Sequence, residues 1–263
     1  MTLHDWIYSV YPPDAVIQGQ WGTLHILTLV CCIGAIVGLA FLGRARPQWK
    51  MVILYILAGI IFAFEVTRRV INLTRGEALN GTALMRILLP RPWCAIGCWM
   101  AMASIFVKKK WFYNVVSTNG ILCALVFFAY PAVGFNHRVI LFENLYSIGT
   151  HTLLLMFCVL LICFGMTDFR YQRGMRLGES AIWELISLLC VNVYAFVEIY
   201  LLKIEADPLY FMPENDVQEV LGCTYPVYLV IYVCFLAFYF NAYYLVTLWV
   251  TKRKKTPKDL LDT

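Results

Sequence analysis

Long apolar stretches separated by short polar connections run through the whole chain. Because unpaired backbone groups are not tolerated in lipid, and because no strand-like alternation occurs, these stretches are predicted to be helices. The pattern predicts an all-α membrane protein, in which residues 1–263 form a single domain built as a seven-transmembrane-helix bundle. The seven stretches of spanning length are 22–43, 51–72, 82–107, 112–130, 139–165, 179–203 and 223–250.

The composition agrees with that pattern. Hydrophobic residues make up 61% of the chain and charged residues 14%, whereas a soluble domain carries about 25% charged residues. The mean hydropathy is +0.71. Residues 1–21 contain no Lys or Arg and no short apolar run that ends in small residues, so a cleaved signal peptide is not expected. We therefore expect an integral, multi-pass membrane protein, located in the plasma membrane if the source is bacterial.

Basic residues mark one side of the predicted membrane. This asymmetry predicts that the N-terminus, with the segment 1–21, lies outside, and that 251–263 is a basic tail in the cytoplasm. The net charge of +5 is then a sign of topology, and no nucleic-acid partner is expected. Fourteen of the 21 basic residues lie in alternate connections and the tail: Arg44, Arg46, Lys50, Lys108, Lys109, Lys110, Arg170, Arg173, Arg176, Lys252, Arg253, Lys254, Lys255 and Lys258.

Polar residues inside the spans indicate where function lies, because each is costly in hydrocarbon. Counted from the cytoplasmic ends, four of them lie at one depth, about 20 Å from the inner boundary at a rise of 1.5 Å per residue. They are Glu65, Cys94, His151 and Asn192. A second layer, net basic, lies about one turn further out. It consists of His25, Arg68, Arg69, Arg91 and Glu198.

A thiol and an imidazole at one depth predict nucleophilic chemistry. A thiolate is the nucleophile, and a neighbouring imidazole takes up and returns the proton. Glu65 or Asn192 would hold the imidazole of His151 in one tautomer. Pro90 and Pro92 interrupt the helix just before Cys94 and leave backbone groups available to line a cavity. The basic layer outside this site suits an anionic amphiphile.

Structural interpretations compete with each of these assignments. A cysteine in a membrane helix is usually inert packing, and a membrane histidine often makes only a polar contact to a neighbouring helix. Arg68 and Arg69 would reach the outer headgroups by snorkelling. Cys94 and Cys98 lie four residues apart, but a metal site needs two further ligands, so neither a metal nor a cofactor is expected.

Five short motifs, in order along most of the chain, resemble those of the YwaF-like integral membrane proteins, which are related to transmembrane protein 164. The segment before the cysteine departs from the family's pattern, because Arg91, Pro92 and Trp93 stand where members often carry a histidine. The sixth span is a further departure. The motifs are Trp21-Gly22-Thr23-Leu24-His25, Phe64-Glu65-Val66-Thr67-Arg68-Arg69, Leu89-Pro90-Arg91-Pro92-Trp93-Cys94, Ser147-Ile148-Gly149-Thr150-His151 and Leu221-Gly222-Cys223-Thr224-Tyr225-Pro226-Val227-Tyr228.

The resemblance implies an acyltransferase that moves a fatty acyl chain between phospholipids with a cysteine and a histidine. Those roles fall on Cys94 and His151. The function predicted is acyl transfer or acyl-ester hydrolysis at a Cys-His site within the bilayer, with a phospholipid or other acyl lipid as partner. Two alternatives remain open: a heptahelical transporter or receptor that binds a solute at the same polar layer, and a structural subunit that needs a partner. The oligomeric state is left undetermined.

Overall fold

The computed structural model describes residues 2–8, 21–74, 81–90, 93–129, 135, 140–167, 193–194, 197, 213 and 216–252. The regular structure in these ranges is helical, which confirms the predicted all-α class. The helices are α1 (Leu3–Tyr8), α2 (Thr23–Ala45), α3 (Trp49–Thr74), α4 (Gly81–Leu88), α5 (Trp93–Val107), α6 (Lys110–Ala129), α7 (Phe142–Cys163), α8 (Asp216–Leu221) and α9 (Tyr225–Lys252).

Five of these helices, α2, α3, α6, α7 and α9, are long and apolar enough to cross a membrane. Their bounds agree within a few residues with five of the predicted spans, so the chain is an integral, multi-pass membrane protein. The predicted sixth span, 179–203, lies almost entirely outside the described residues. The total of seven spans and the sidedness of the termini stay predictions.

The third predicted span, 82–107, is two helices in the structure. α4 ends at Leu88 and α5 begins at Trp93, and Pro90 and Pro92 lie between them. Each proline lacks an amide donor, and its ring clashes with the carbonyl four residues earlier, which kinks or breaks a helix. The predicted interruption before Cys94 is therefore confirmed, and α5 is left as a 15-residue apolar helix.

Side-chain contacts establish the directions of the central helices. Nζ of Lys108, just after α5, lies 5.9 Å from the ring centroid of Tyr55 near the start of α3. Near the end of α3, the guanidinium carbon of Arg69 lies 5.1 Å from the ring centroid of Trp99 in α5. α5 is thus antiparallel to α3. Lys50, at the start of α3, donates to the carbonyl of Phe164 after α7 at 3.3 Å. Since the other end of α3 contacts the start of α7, α7 is also antiparallel to α3, and α5 and α7 run in the same direction.

Small residues allow the helices around α7 to pack closely. A Cβ added to Gly120 of α6 would lie 2.4 Å from the sulfur of Cys158 on α7, so only glycine fits there. Ala58, Ala101 and Ala124 are buried in the same core. By contrast, α2 and α9 present many exposed apolar side chains, as helices that face lipid do. Close packing of small residues is the usual means of association between membrane helices.

Candidate functional site

Glu65 is a fully buried carboxylate at the centre of a polar cluster between α3 and α7. Tyr146 donates its hydroxyl to one carboxylate oxygen, and Arg69, one turn further along α3, pairs with the other. Arg69 also donates to the Glu65 carbonyl at 2.9 Å and, through Nε, to the Leu88 carbonyl at 3.2 Å. Both oxygens of Glu65 therefore have a donor, as a charge buried away from water requires.

Arg68 adds a second positive charge to this cluster. Its Nη1 donates to the hydroxyl of Tyr146 at 3.2 Å, and its guanidinium carbon lies 4.9 Å from the centre of the Tyr146 ring. In the described ranges of the chain, Arg68 has no carboxylate in ion-pair contact. One carboxylate and two guanidinium groups leave the cluster with an excess of positive charge.

Cys94 lies in the first turn of α5, half-buried and next to this cluster. Arg69 of the cluster reaches both sides of it, since its Nε donates to the Leu88 carbonyl at 3.2 Å and its guanidinium carbon lies 5.1 Å from the centre of the Trp99 ring. The first amides of a helix have no carbonyl partner within the helix and attract negative charge, so the start of α5 is a favourable place for a thiolate. The roles predicted for Cys94, Glu65 and Arg68 stay predictions.

His151 lies on α7 and is also buried. Its Nδ1 lies 2.7 Å from the backbone carbonyl of Ser147, and its ring stacks on Phe127 with a centroid distance of 3.8 Å and an interplanar angle of 10°. A carbonyl only accepts hydrogen bonds, so Nδ1 carries the proton of the neutral ring. Nε2 is left with the lone pair that a general base needs.

In the described part of the chain no hydrogen bond joins Cys94 to His151, and their predicted common level is inferred from a neighbouring approach of the two helices. Gly97 follows Cys94 by three residues, Leu154 follows His151 by three, and a Cβ added to Gly97 would lie 3.1 Å from Cδ2 of Leu154. Because α5 and α7 run in the same direction, stepping back three residues on each helix reaches Cys94 and His151 together. Their direct pairing stays a prediction.

Of the remaining predicted residues, only His25 lies within the described ranges. His25 is fully buried at the start of α2, where its Nδ1 accepts the N–H of Trp21 at 3.3 Å and its ring stacks on Phe135 with a centroid distance of 4.6 Å. In the described ranges the His25 ring contacts the rings of Trp21, Phe128 and Phe135. Arg91, Asn192 and Glu198 lie outside the described residues, so their predicted roles are untested.

Sequence reasoning missed Tyr146 and the Ser147 carbonyl. The residue type of Tyr146 gave little indication of a role in the site, because a tyrosine in a membrane helix is ordinarily a packing or interfacial residue. Its position did carry a signal: Tyr146 lies five residues before His151, which is the depth of the predicted basic layer. Within the described ranges, no group of three His, Cys, Asp or Glu side chains is arranged to hold a metal ion.

Comparison with known proteins gives one match. A model of the TMEM164 family matches residues 20–244, well over half of the chain. No curated protein and no solved structure matches the chain. The matched range includes α2 to α8 and most of α9, and therefore the whole polar cluster.

Proposed function

The chain belongs to the TMEM164 family, and on that premise we propose that it is a membrane enzyme that transfers acyl groups between lipids, with Cys94 as nucleophile and His151 as general base and acid. The donor is a phospholipid. The acceptor is a second lipid with a free hydroxyl, or water, in which case the reaction is hydrolysis.

The chemistry takes two balanced steps. In the first, His151 takes the thiol proton, the sulfur of Cys94 bonds to the ester carbonyl carbon, and the ester C–O bond breaks as His151 returns the proton to the departing alkoxide. The product is a thioester on Cys94 and a lysolipid. In the second, His151 removes the proton of the acceptor hydroxyl, whose oxygen forms the new ester bond, and the proton returns to the sulfur as the thioester breaks.

One observation carries this proposal: the contact of Gly97 with Leu154 on two helices of the same direction. It supports a common level for the thiol and the imidazole, one turn earlier on each helix. The hydrogen-bonding state of His151 supports the same roles, since the Ser147 carbonyl leaves Nε2 as the acceptor. Glu65, by contrast, has both oxygens engaged by Tyr146 and Arg69, which favours a role in organising the cluster.

Headgroup binding is assigned to the basic residues of this layer: Arg68, Arg69 and, outside the described residues, Arg91. Guanidinium groups bind phosphate through charge-assisted hydrogen bonds. The excess positive charge around Glu65 supports an anionic substrate, because an additional negative charge would balance the cluster.

The test uses protein reconstituted with a phospholipid that bears a deuterated acyl chain. Intact-protein mass spectrometry is expected to detect a deuterated acyl adduct, and peptide mapping to locate it on Cys94. Cys94→Ala is expected to lose both the adduct and the transfer of label to an added lysolipid. Cys98→Ala is the matched control, because Cys98 is buried one turn further along the same helix. Undiminished transfer by Cys94→Ala would rule the proposal out.

A second candidate is a transporter or receptor that binds an anionic solute at the same cluster. The full burial of Glu65 beside two arginines favours it, since ionisable residues inside a membrane mark solute and ion pathways as well as catalytic sites. The same reconstituted protein distinguishes the two: this candidate predicts solute binding or uptake that Cys94→Ala leaves intact, together with no acyl adduct.

A further inference from the structure

The ring of Phe127, on α6, lies flat against the imidazole of His151. The two ring centroids are 3.8 Å apart and the ring planes differ by 10°. Both side chains are buried. Within the described residues the imidazole also approaches the backbone carbonyl of Ser147, with Nδ1 at 2.7 Å. One face of the ring and one of its nitrogens therefore each have a defined neighbour.

These two contacts restrict different movements of the imidazole. The second side-chain torsion of a histidine has broad minima, so a single hydrogen bond leaves the ring plane free to tilt. The Ser147 carbonyl selects which nitrogen faces it, and the flat surface of Phe127 limits the tilt. Nε2, which takes up and returns the proton in the proposed reaction, is therefore held in one direction, in a plane nearly parallel to the Phe127 ring.

The stack lies on a line along which α6 and α7 approach each other closely. Gly120 of α6 meets the sulfur of Cys158 on α7, where an added Cβ would not fit. Phe127 follows Gly120 by seven residues. His151 precedes Cys158 by the same number, so the two contacts lie two turns apart on the facing sides of antiparallel helices. The close approach that glycine permits thus sets the spacing at which a flat ring lies against the imidazole.

Further aromatic rings hold Phe127 in turn. Phe128 meets it edge-on with a centroid distance of 5.4 Å, and Phe135 lies 5.8 Å from it. Phe135 then stacks on His25 with a centroid distance of 4.6 Å. These separations lie in the range in which aromatic rings attract each other. His25 is thus connected to the imidazole of His151 through Phe135 and Phe127.

We propose that Phe127 is a positioning residue that holds the imidazole of His151 in the plane from which Nε2 exchanges protons with Cys94 and the lipid. This inference rests on the proposed function, because it assigns Phe127 a task within that reaction. Phe127 touches neither the substrate nor the sulfur in this scheme and acts through His151. If Phe127 were packing alone, any apolar side chain of similar size would serve, whereas positioning requires a flat ring.

The experiment measures kcat and KM for acyl transfer from the deuterated phospholipid by the reconstituted full-length protein. Phe127→Leu and Phe127→Met, which stay apolar but lack a ring, are expected to lower kcat about tenfold and to change KM less than about twofold. The reason is that a misdirected base slows the chemical steps without weakening substrate binding. Phe127→Tyr, which keeps the flat ring, is expected to retain most of kcat.

The matched control is Phe157→Leu. Phe157 is fully buried in the same core cluster as Phe127, and in the described ranges it has no recorded ring contact with His151. The same chemical change at this position removes a comparable amount of buried apolar surface. It is expected to lower the thermal unfolding midpoint as Phe127→Leu does, and to leave kcat close to that of wild type.

A double variant separates positioning from damage to the fold. Added to His151→Gln, the change Phe127→Leu is expected to have no further effect on the residual rate, because both changes act through one imidazole. A residue that only supports the fold would lower the rate by the same factor in both backgrounds. That equal loss would refute the inference.

The remaining outcomes distinguish this inference from the proposed function. If wild-type protein forms the acyl adduct on Cys94 while Phe127→Leu and Phe127→Met keep the wild-type kcat, the positioning role is refuted and the proposed function stands. If wild-type protein forms no adduct, the proposed function fails, and this inference fails with it.

Should neither Phe127→Leu nor Phe127→Met fold, NMR spectra of the wild-type protein decide. The ring protons of His151 are identified by their absence from the spectrum of His151→Gln. Because they lie over the face of an aromatic ring, they are expected to resonate upfield of the protons of a free imidazole. Unshifted ring protons would show that the stack is not formed and would overturn the inference.

Discussion

Gly97 of α5 lies against Leu154 of α7 with little room for a side chain between them. A Cβ added to Gly97 would stand 3.1 Å from Leu154 Cδ2 and 3.9 Å from the Cα of Gly120 on α6. Three helices therefore meet at this glycine, one turn from the proposed nucleophile. The spacing of Cys94 and His151 depends on how closely α5 approaches α7 here.

Gly97→Leu is accordingly expected to push α5 away from α7 and to lower acyl transfer more than tenfold. Overpacking of this kind also costs about 1–3 kcal/mol of stability, so thermal unfolding is measured alongside activity. Gly38→Leu on α2 is the matched control, because a Cβ at Gly38 meets nothing within 4 Å. Full activity of folded Gly97→Leu would argue against any need for close packing at this point.

Glu65→Gln is expected to destabilise the protein, by about 3 kcal/mol, since it leaves the mostly buried guanidinium of Arg69 without its counter-charge. The measurement is the denaturation midpoint of the purified protein in detergent. The double variant Glu65→Gln/Arg69→Gln is expected to be more stable than Glu65→Gln alone, because it removes the unpaired charge. If the double variant were the less stable of the two, the ion pair would not be the reason for the loss.

His151→Gln is expected to lower the rate of acyl transfer by about a hundredfold or more, the usual contribution of general acid–base catalysis. Ser147→Ala is expected to retain activity, because the imidazole contacts the backbone carbonyl of Ser147 and not its hydroxyl. Both variants are assayed for release of labelled lysolipid. Equal losses of rate in the two variants would indicate that the loss comes from a disturbance of α7 and not from removal of the imidazole.

The sidedness of the chain is testable without any assumption about catalysis. An odd number of spans with an outside N-terminus predicts that the two termini lie on opposite sides of the membrane. An epitope placed before Thr2 is expected to be accessible to antibody in intact cells, and one placed after Thr263 only after permeabilisation. Two accessible or two protected epitopes would contradict the seven-helix topology.

Part of the site could be predicted from the sequence. Glu65 and Arg69 are four residues apart, so a helix brings them to the same face, and counting residues along helices put Glu65, Cys94 and His151 at one depth. Tyr146 was not reached, because its role depends on which way α7 is rotated against α3. Hydropathy does not fix such a rotation in apolar helices. α2, for example, is apolar on nearly every side, so its sequence does not indicate which side packs against the other helices.

The sequence by itself determined the helical class, the approximate bounds of the described spans, the interruption before Cys94 and the family. These features depend on local chemistry: an apolar run must become a helix in lipid, and a proline kinks or breaks one. Only the tertiary structure decided that Arg69 and Tyr146 share the carboxylate of Glu65, that Arg68 is held by the phenol, and that Ser147 fixes the imidazole. Those contacts depend on the rotation and approach of packed helices, which small residues such as Gly97 and Gly120 permit and one-dimensional periodicity does not encode.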